Sequence, residues 1–342
     1  MDSFFDRALA AARRLGASDV HLKPGQSPIL RIAGELRTFT DVPALSRDFL
    51  QSLALSLLSD RRREALERTG DVTVVFATAA GRQRVHIFQQ RSGLGLSLRL
   101  IPAEIPKLDT LGLPSEIREL TDAGGGLILV AAGPGNGKTT TLSAIIDDVG
   151  ARRTCRVLSI EDPAEYLHRR TSVVQREVGT DAPTAAAALR AAARQDAELV
   201  AVDPLGDLET AELALAAAET GQLVLAGVAA GSATGAIGRL TRFWAPEARA
   251  ETRARIAAAL QGVVFQRLVT AADGKRRTAA GELLRVLPET RGWILDGTVP
   301  VSEGAQEVPG RTPFEPAPPA GRRRRGATAE AQPAVEDDAE PD

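Results

Sequence analysis

The chain has 342 residues, enough for two domains that each bury a core of their own. Its 42 basic and 44 acidic residues give a formal net charge of −2, which excludes a strong overall attraction to nucleic acid or to an anionic membrane surface. The single cysteine, Cys155, excludes an internal disulfide framework and suits a reducing compartment. With no apolar run of 18 residues and no signal-peptide pattern, we expect a soluble cytoplasmic protein.

The first hundred residues predict a small α+β domain, 1–100. An amphipathic helix over about 3–15 precedes two strands, "DVHLKP" and "ILRIAGEL", and leucine spacing predicts one helix over 46–68. The segment "DVTVVFATAAGRQRVHIFQ" has two β-rich runs around a glycine-containing turn, which predicts a hairpin. Prolines then indicate an interdomain linker over 101–114.

The second domain, 115–300, has a different pattern. Four short apolar runs, "GLILVAA", "RVLSI", "ELVAV" and "QLVLAGV", alternate with helical stretches and predict a parallel sheet covered on both faces. The strongest helix predictions are 184–194 and 248–268, and "TRGWILDG" closes the ordered part. From about 301 the chain is rich in Pro, Gly and Ala and carries "GRRRRG" and then "EDDAEPD", which predicts a disordered tail over 301–342.

The first apolar run leads into "GPGNGKTTT", which predicts a phosphate-binding loop. Backbone amides of the glycines would face phosphate oxygens, Lys138 would reach the outer phosphates, and the Thr139 hydroxyl would ligate Mg²⁺. Ala132 stands where the G-x-x-x-x-G-K-[ST] pattern has its first glycine. The alternative is a glycine-rich turn that merely precedes Lys-Thr. The predicted nucleotide-binding residues of the loop are Gly133, Gly135, Asn136, Gly137, Lys138, Thr139 and Thr140.

The ends of the other three runs differ in chemistry. Glu161, Asp162 and Glu165 follow the second run and are suited to orienting a water molecule or binding Mg²⁺ through its hydration shell, although a solvated helix entry gives the same pattern. The third run ends in Asp203 and Pro204; an acid displaced by one position along a strand points to the other face unless a bulge corrects it. The fourth run ends in alanines and glycine, which have no side-chain group that could bind the γ-phosphate.

The order of the motifs resembles that of the type II/IV secretion ATPases, and within them the type IV pilus retraction ATPases. The resemblance covers about residues 8–297 and is carried by "GASDVHLKPGQSPILRIAGEL", "GKTTTL", "LSIEDPAEYLH", "VQREVG", "ALRAAARQD", "GDLETAELALAAAETG" and "ALQGVVFQRLV". It implies a PAS-like N-terminal domain, a RecA-like P-loop ATPase domain and a six-subunit ring with ATP between the two domains. It also implies a pilus or secretion platform protein at the inner membrane as partner, with membrane association only through such partners.

The resemblance assigns roles to particular residues. Lys138 and Thr139 match the Walker A lysine and hydroxyl, and Glu161, Asp162 and Glu165 match the family's acidic box. Family arginines that approach the phosphates match Arg84 and Arg99, whereas Arg91 is one position out of register. Two further family arginines, on the helix before Walker B, match Arg190 and Arg194.

The chain differs from the family pattern at the positions that carry out catalysis in the family. The position of the catalytic Walker B glutamate is Pro204, the preceding glycine is Asp203, and the arginine that follows is Gly206. The two His-box histidines are replaced by Gln222 and Ala229. The C-terminal helices of retraction ATPases give way to the predicted tail.

These features predict an ATP- and Mg²⁺-binding, ring-forming pseudo-ATPase with weak or absent hydrolysis. Such a protein would modulate a pilus or secretion motor by joining the ring of an active paralogue or by competing for its platform. The first alternative is an active motor, which needs Asp203, Glu161 or Glu165 as the base. The second alternative, a small-molecule kinase, needs an acceptor pocket for which the N-terminal half offers no support.

Overall fold

The computed structural model describes residues 3–271, 277–298 and 310–315. These residues form two β-sheets, one of six strands and one of eight, each with helices packed on it. None of the helices in these ranges combines the length and the apolar character needed to cross a membrane.

The N-terminal sheet is built from β1 (Ala17–Leu22), β2 (Ile29–Ile32), β3 (Glu35–Thr38), β4 (Asp71–Thr78), β5 (Gly81–Gln90) and β6 (Gly93–Leu100), and the helices packed on it are α1 (Ser3–Arg14), α2 (Arg47–Ser56) and α3 (Asp60–Thr69). The sheet is antiparallel and has the strand order β3-β2-β1-β6-β5-β4. Alternate residues of its strands, such as Val85, Ile87, Leu96 and Leu98, point into a core shared with the helices.

Two predictions for this region are wrong in detail. The single helix expected over 46–68 is two helices, because the chain leaves the helix after Ser56 and Ser59 adopts an extended conformation before α3. Leu58, between them, is buried in the core. The run "ILRIAGEL" is likewise a hairpin rather than one strand, with Ala33 and Gly34 at positive φ between β2 and β3.

The strands of the larger sheet are β7 (Gly126–Ala132), β8 (Val157–Glu161), β9 (Val173–Glu177), β10 (Leu199–Asp203), β11 (Leu223–Val228), β12 (Leu260–Thr270), β13 (Arg277–Arg285) and β14 (Arg311–Phe314). Their order in the sheet is β14-β13-β12-β7-β11-β10-β8-β9. The strands from β12 to β9 run parallel, and β13 and β14 add an antiparallel edge. The helices are α4 (Ile117–Asp122), α5 (Lys138–Arg152), α6 (Ala185–Ala192), α7 (Leu208–Glu219), α8 (Ala233–Thr241), α9 (Arg249–Ala259) and α10 (Pro288–Asp296).

The four apolar runs form β7, β8, β10 and β11, which confirms the predicted parallel α/β sheet. Both faces of these strands are covered. On β10, Leu199 and Ala201 pack on the side of α5, whereas Val200 and Val202 pack on the side of α6 and α7. Because the four strands are parallel, their carboxyl ends lie at the same edge of the sheet, where open α/β folds bind ligands.

The helix predicted over 248–268 is wrong in its second half. The helix α9 ends at Ala259, and Leu260–Thr270 is the strand β12. Pairing of β12 with β7 on one side and β13 on the other decides this conformation, and its β-branched and aromatic residues suit a strand. The other strong prediction, 184–194, is borne out by α6 and the 3-10 turn Ala193–Gln195 that follows it.

The end of the chain also differs from expectation. Most of the tail predicted over 301–342 lies outside the described residues, but Arg311–Phe314 form β14, which pairs with β13. Disorder is therefore the wrong prediction for this short segment. The predicted linker, 101–114, falls between the end of β6 and the start of α4 and contains one 3-10 turn, Leu108–Thr110.

Candidate nucleotide-binding site

The loop between β7 and α5 has the conformation of an anion-binding turn. Ala132 is the last residue of β7 and is buried within the sheet. Gly135 and Gly137 have φ of 72° and 82°, values that favour glycine, and Gly137 directly precedes the first residue of α5. The loop therefore lies at the positive end of a 15-residue helix, whose first N–H groups have no partner within the helix.

The strand β12 holds this loop in shape. The Gln266 side-chain amide donates to the backbone carbonyl of Asn136 at 2.7 Å and accepts from the Thr141 hydroxyl at 2.7 Å. The Leu268 backbone N–H donates to Oδ1 of Asn136 at 2.9 Å. Asn136, predicted to bind nucleotide, thus uses its side-chain oxygen to shape the loop.

Lys138 and Thr139 share one carboxylate partner. Lys138 Nζ donates to Oδ1 of Asp203, and the Thr139 hydroxyl donates to Oδ2 of the same residue at 3.0 Å. The Lys138 and Asp203 side chains are 18% and 11% exposed, so the ion pair is largely shielded from water. The pairings of β10 show no register shift, so Asp203 reaches the loop from a regular strand, without a bulge.

A cleft of about 530 Å³ opens beside the loop, within the size range of small-molecule sites. Residues from the N-terminal sheet, the linker and the larger sheet all line it. They include Arg84, Arg99, Ile101, Pro102, Gly133, Gly135, Asn136, Gly137, Lys138, Thr139, Thr140, Glu165, Tyr166, Pro204 and Ala229.

Three predicted residues form the far wall of the cleft. Arg84 Nη1 donates to Oε1 of Glu165 at 2.5 Å, an ion pair that joins β5 to the segment after β8. Arg99 forms an ion pair with Asp19 at 3.5 Å, and its terminal nitrogens lie 3.9 Å from the position of a Cβ built on Gly135. The guanidinium of Arg99 therefore faces the phosphate loop.

The other two predicted acidic residues lie outside the cleft. Glu161 is 6% exposed, and its Oε1 accepts hydrogen bonds from Ser159 at 2.7 Å and Gln175 at 2.9 Å. Burial raises the pKa of the Glu161 carboxyl, and these two hydrogen bonds oppose the rise. Asp162 is exposed and lines a separate cleft with Arg62. Of the three residues in the acidic box, only Glu165 contributes to the cleft wall.

Positions that lack ionisable groups face the cleft directly. Pro204 and Ala229, at the ends of β10 and β11, both line it. Gln222 lies at the opposite end of β11, where its amide donates to the carbonyl of Ala197. The outward-facing Arg190 pairs with Glu209 and does not line the cleft.

Sequence reasoning missed several residues that shape the site. Tyr166 lines the cleft, and its hydroxyl lies 3.2 Å from that of Thr140. Arg82 donates to the backbone carbonyls of Ala164 and Glu165, both at 2.9 Å, and so holds their segment against β5. Gln266 had a detectable signal, a polar residue inside the apolar run "VVFQRLV".

The donors in the cleft fit a polyphosphate with a divalent cation. Loop amides, Lys138 and the two arginines, Arg84 and Arg99, provide positive charge. The Thr139 hydroxyl and the Asp203 carboxylate are hard oxygen ligands 3.0 Å apart, and Mg²⁺ takes few protein oxygens and completes its shell with water and phosphate oxygens. In the described ranges there is no group of three or more His, Cys, Asp or Glu side chains that would form an all-protein metal cage.

The fold and the cleft define a P-loop protein in which a smaller N-terminal domain precedes a RecA-like domain in the sequence. The model of the family described as "Type II/IV secretion system protein" matches residues 1–307, and the chain belongs to this family. It is 34% identical over 294 residues to the "Type IV pilus retractation ATPase PilT" of Pseudomonas aeruginosa, covering 85% of each chain. It is 35% identical over 297 residues to the "Uncharacterized protein YggR" of Escherichia coli, covering 85% of this chain and 89% of that protein. Among solved structures it resembles the "Pilus Retraction Motor PilT and Bound ADP", with a TM-score of 0.76, 38% identity and 86% of each chain covered.

Proposed function

We propose that the chain binds ATP or ADP with Mg²⁺ in this cleft and hydrolyses ATP weakly or not at all. Loop amides, Lys138 and the facing arginines support binding of the phosphates. Thr139 and Asp203 would hold the cation, which would add positive charge next to the phosphates. The solved structure of a pilus retraction motor with bound ADP supports a nucleotide as the ligand.

The observation that carries the impaired hydrolysis is the lining of the cleft at Pro204 and Ala229. The resemblance puts a catalytic glutamate and a histidine at these two positions, and neither replacement can accept a proton or contact a phosphate through a polar side chain. Loss of a general base costs about 10²–10⁴-fold in rate, while binding keeps its main determinants.

The proposed role follows from the combination of an intact family fold and a weakened catalytic site. A ring of six subunits, or a mixed ring with an active paralogue, would let the chain modulate a pilus or secretion motor at the inner membrane. Size-exclusion chromatography with light scattering should give six times the chain mass, alone or mixed with such a paralogue.

One observation favours the alternative of an active ATPase. Among the described residues Glu165 is the one carboxylate that lines the cleft itself, whereas Asp203 lies beside the cleft and is bound to Lys138 and Thr139; Glu165 is the remaining candidate for a base there. In this structure its Oε1 accepts from Arg84, so it would have to exchange that contact for a water molecule.

The experiment that decides between the two measures ATP binding and ATP turnover on one purified sample, with Lys138→Ala as control. We expect binding that Lys138→Ala abolishes, with no turnover above that variant. Turnover equal to that of an active relative measured alongside would refute the pseudo-ATPase and favour the motor. Absence of binding would refute nucleotide recognition.

A further inference from the structure

The absence of a side chain at Gly227 leaves room for the Asp203 carboxylate to bind the loop lysine. A Cβ built on Gly227 would lie 2.8 Å from Cγ of Asp203, closer than a real Cβ approaches such an atom, and 3.0 Å from Nζ of Lys138, a tight contact. Gly227 lies on β11, next to β10 in the sheet. The missing side chain at 227 therefore leaves the space that the Asp203 carboxylate fills.

The carboxylate in this space engages both side chains that a phosphate and its cation require. Asp203 binds the ammonium of Lys138 and the hydroxyl of Thr139 at the same time. Because the ion pair is largely shielded from water, the interaction is stronger than that of an exposed pair. An incoming phosphate must compete with a carboxylate that is already in place.

We propose that Asp203 is a built-in competitor for Lys138, which lowers the affinity of the site for polyphosphate until a divalent cation takes over the carboxylate. The proposal rests on the nucleotide binding proposed above and adds its regulation. Without a divalent cation, Asp203 both occupies the lysine and repels the phosphates. Mg²⁺ neutralises this effect, since Asp203 and Thr139 present it with two oxygen ligands.

Calorimetric titration of the full chain with ADP and with ATP tests the proposal, first in EDTA and then with excess Mg²⁺. In EDTA, Asp203→Asn should bind about tenfold to a hundredfold more tightly than the wild type, which corresponds to the loss of one charge-assisted hydrogen bond. With Mg²⁺ the difference should shrink or reverse. Asp147→Asn is the matched control, because Asp147 lies on α5 in an exposed pair with Arg170 and does not contact Lys138; it should behave as the wild type.

Gly227→Ala tests the same contact from the opposite side. The added methyl contacts both the carboxylate and the Lys138 ammonium, so its effect on Lys138 alone is measured in an Asp203→Ala background. In the wild-type background, displacement of the carboxylate should raise the affinity in EDTA, and this gain should be lost in the Asp203→Ala background. The same gain with and without Asp203 would overturn the proposal, because the effect would then not pass through the carboxylate.

The remaining outcomes separate this proposal from the nucleotide-binding function. Equal affinities of the wild type and Asp203→Asn in EDTA would overturn the competition and leave nucleotide binding intact. No binding by any variant, with or without Mg²⁺, would overturn both. A melting temperature measured for each variant excludes unfolding as the cause of a lost signal.

Discussion

The Arg84 guanidinium lies 2.5 Å from the Glu165 carboxylate and connects β5 to the segment after β8 within the wall of the cleft. The Glu165 side chain is 10% exposed and that of Arg84 is 36% exposed, so the pair in the cleft wall is partly shielded from water. Glu165, the remaining candidate for a base, is therefore also part of the contact between the N-terminal sheet and the RecA-like domain.

The first prediction concerns this pair. The effects of Arg84→Ala and Glu165→Gln on the free energy of unfolding should not be additive. A double-mutant cycle should give a coupling energy of about 1 kcal/mol, at the upper end of the range for a partly exposed ion pair. Urea denaturation of the wild type, both single variants and the double variant measures it. Additive effects would show that the contact contributes nothing to stability.

The second prediction concerns Arg82, which binds two backbone carbonyls of the segment after β8. Arg82→Ala should leave these carbonyls without their partner and loosen the segment that carries Glu165 and Tyr166. Hydrogen exchange of the peptide covering 162–170 should become faster, while a peptide covering β11 should not change. Arg82→Lys keeps the charge but lacks the planar guanidinium that donates to both carbonyls, so the exchange rate should be intermediate between those of the wild type and Arg82→Ala.

The third prediction concerns Gln266, which joins the loop to α5. Gln266→Ala leaves the Asn136 carbonyl and the Thr141 hydroxyl without partners, and the cost to folding should be about 2–3 kcal/mol. We also expect about tenfold weaker nucleotide binding because the loop loses its support. Gln261→Ala is the matched control on the same strand, since its amide makes only a 3.4 Å contact at the far end of β12. Unchanged affinity in Gln266→Ala would mean that the loop keeps its shape without β12.

The fourth prediction concerns the dependence of stability on pH. Burial raises the pKa of Glu161 in the folded protein, so the folded state holds its proton more tightly than the unfolded state does. The contribution of this group to stability is therefore complete below the ordinary pKa of a glutamate and is lost as the pH rises through the folded pKa. Glu161→Gln keeps an oxygen to accept from Ser159 and Gln175, and it should be more stable than the wild type above this range and similar below it.

Urea denaturation across the pH range measures this effect. Glu64→Gln, at an exposed position, is the control and should follow the wild-type profile. A Glu161→Gln variant that parallels the wild type at every pH would show that the carboxyl does not titrate differently in the two states.

Periodicity and turn chemistry were enough to predict the parts of the fold with local causes. The four apolar runs became the parallel strands, and the strand-glycine-helix order around Lys138 predicted the loop that the structure places between β7 and α5. The region 260–270 could not be assigned in this way, because its strand conformation depends on pairing with β7, which is distant in sequence, as well as with the following strand β13. The strand at 311–314 escaped prediction for the same reason.

The same distinction between local and long-range causes applies to the candidate site. The sequence by itself determined which chemical groups follow each strand and that Pro204 and Ala229 have no acid or base to offer. Only the tertiary structure decided that Glu165 lines the cleft while Glu161 is buried behind it and Asp162 faces another cleft. Only the tertiary structure, too, placed Asp203 on Lys138 beside Gly227. The physical reason is that alternation along a strand sets the face of each residue, whereas the partner on that face comes from strands and loops that the sheet brings together.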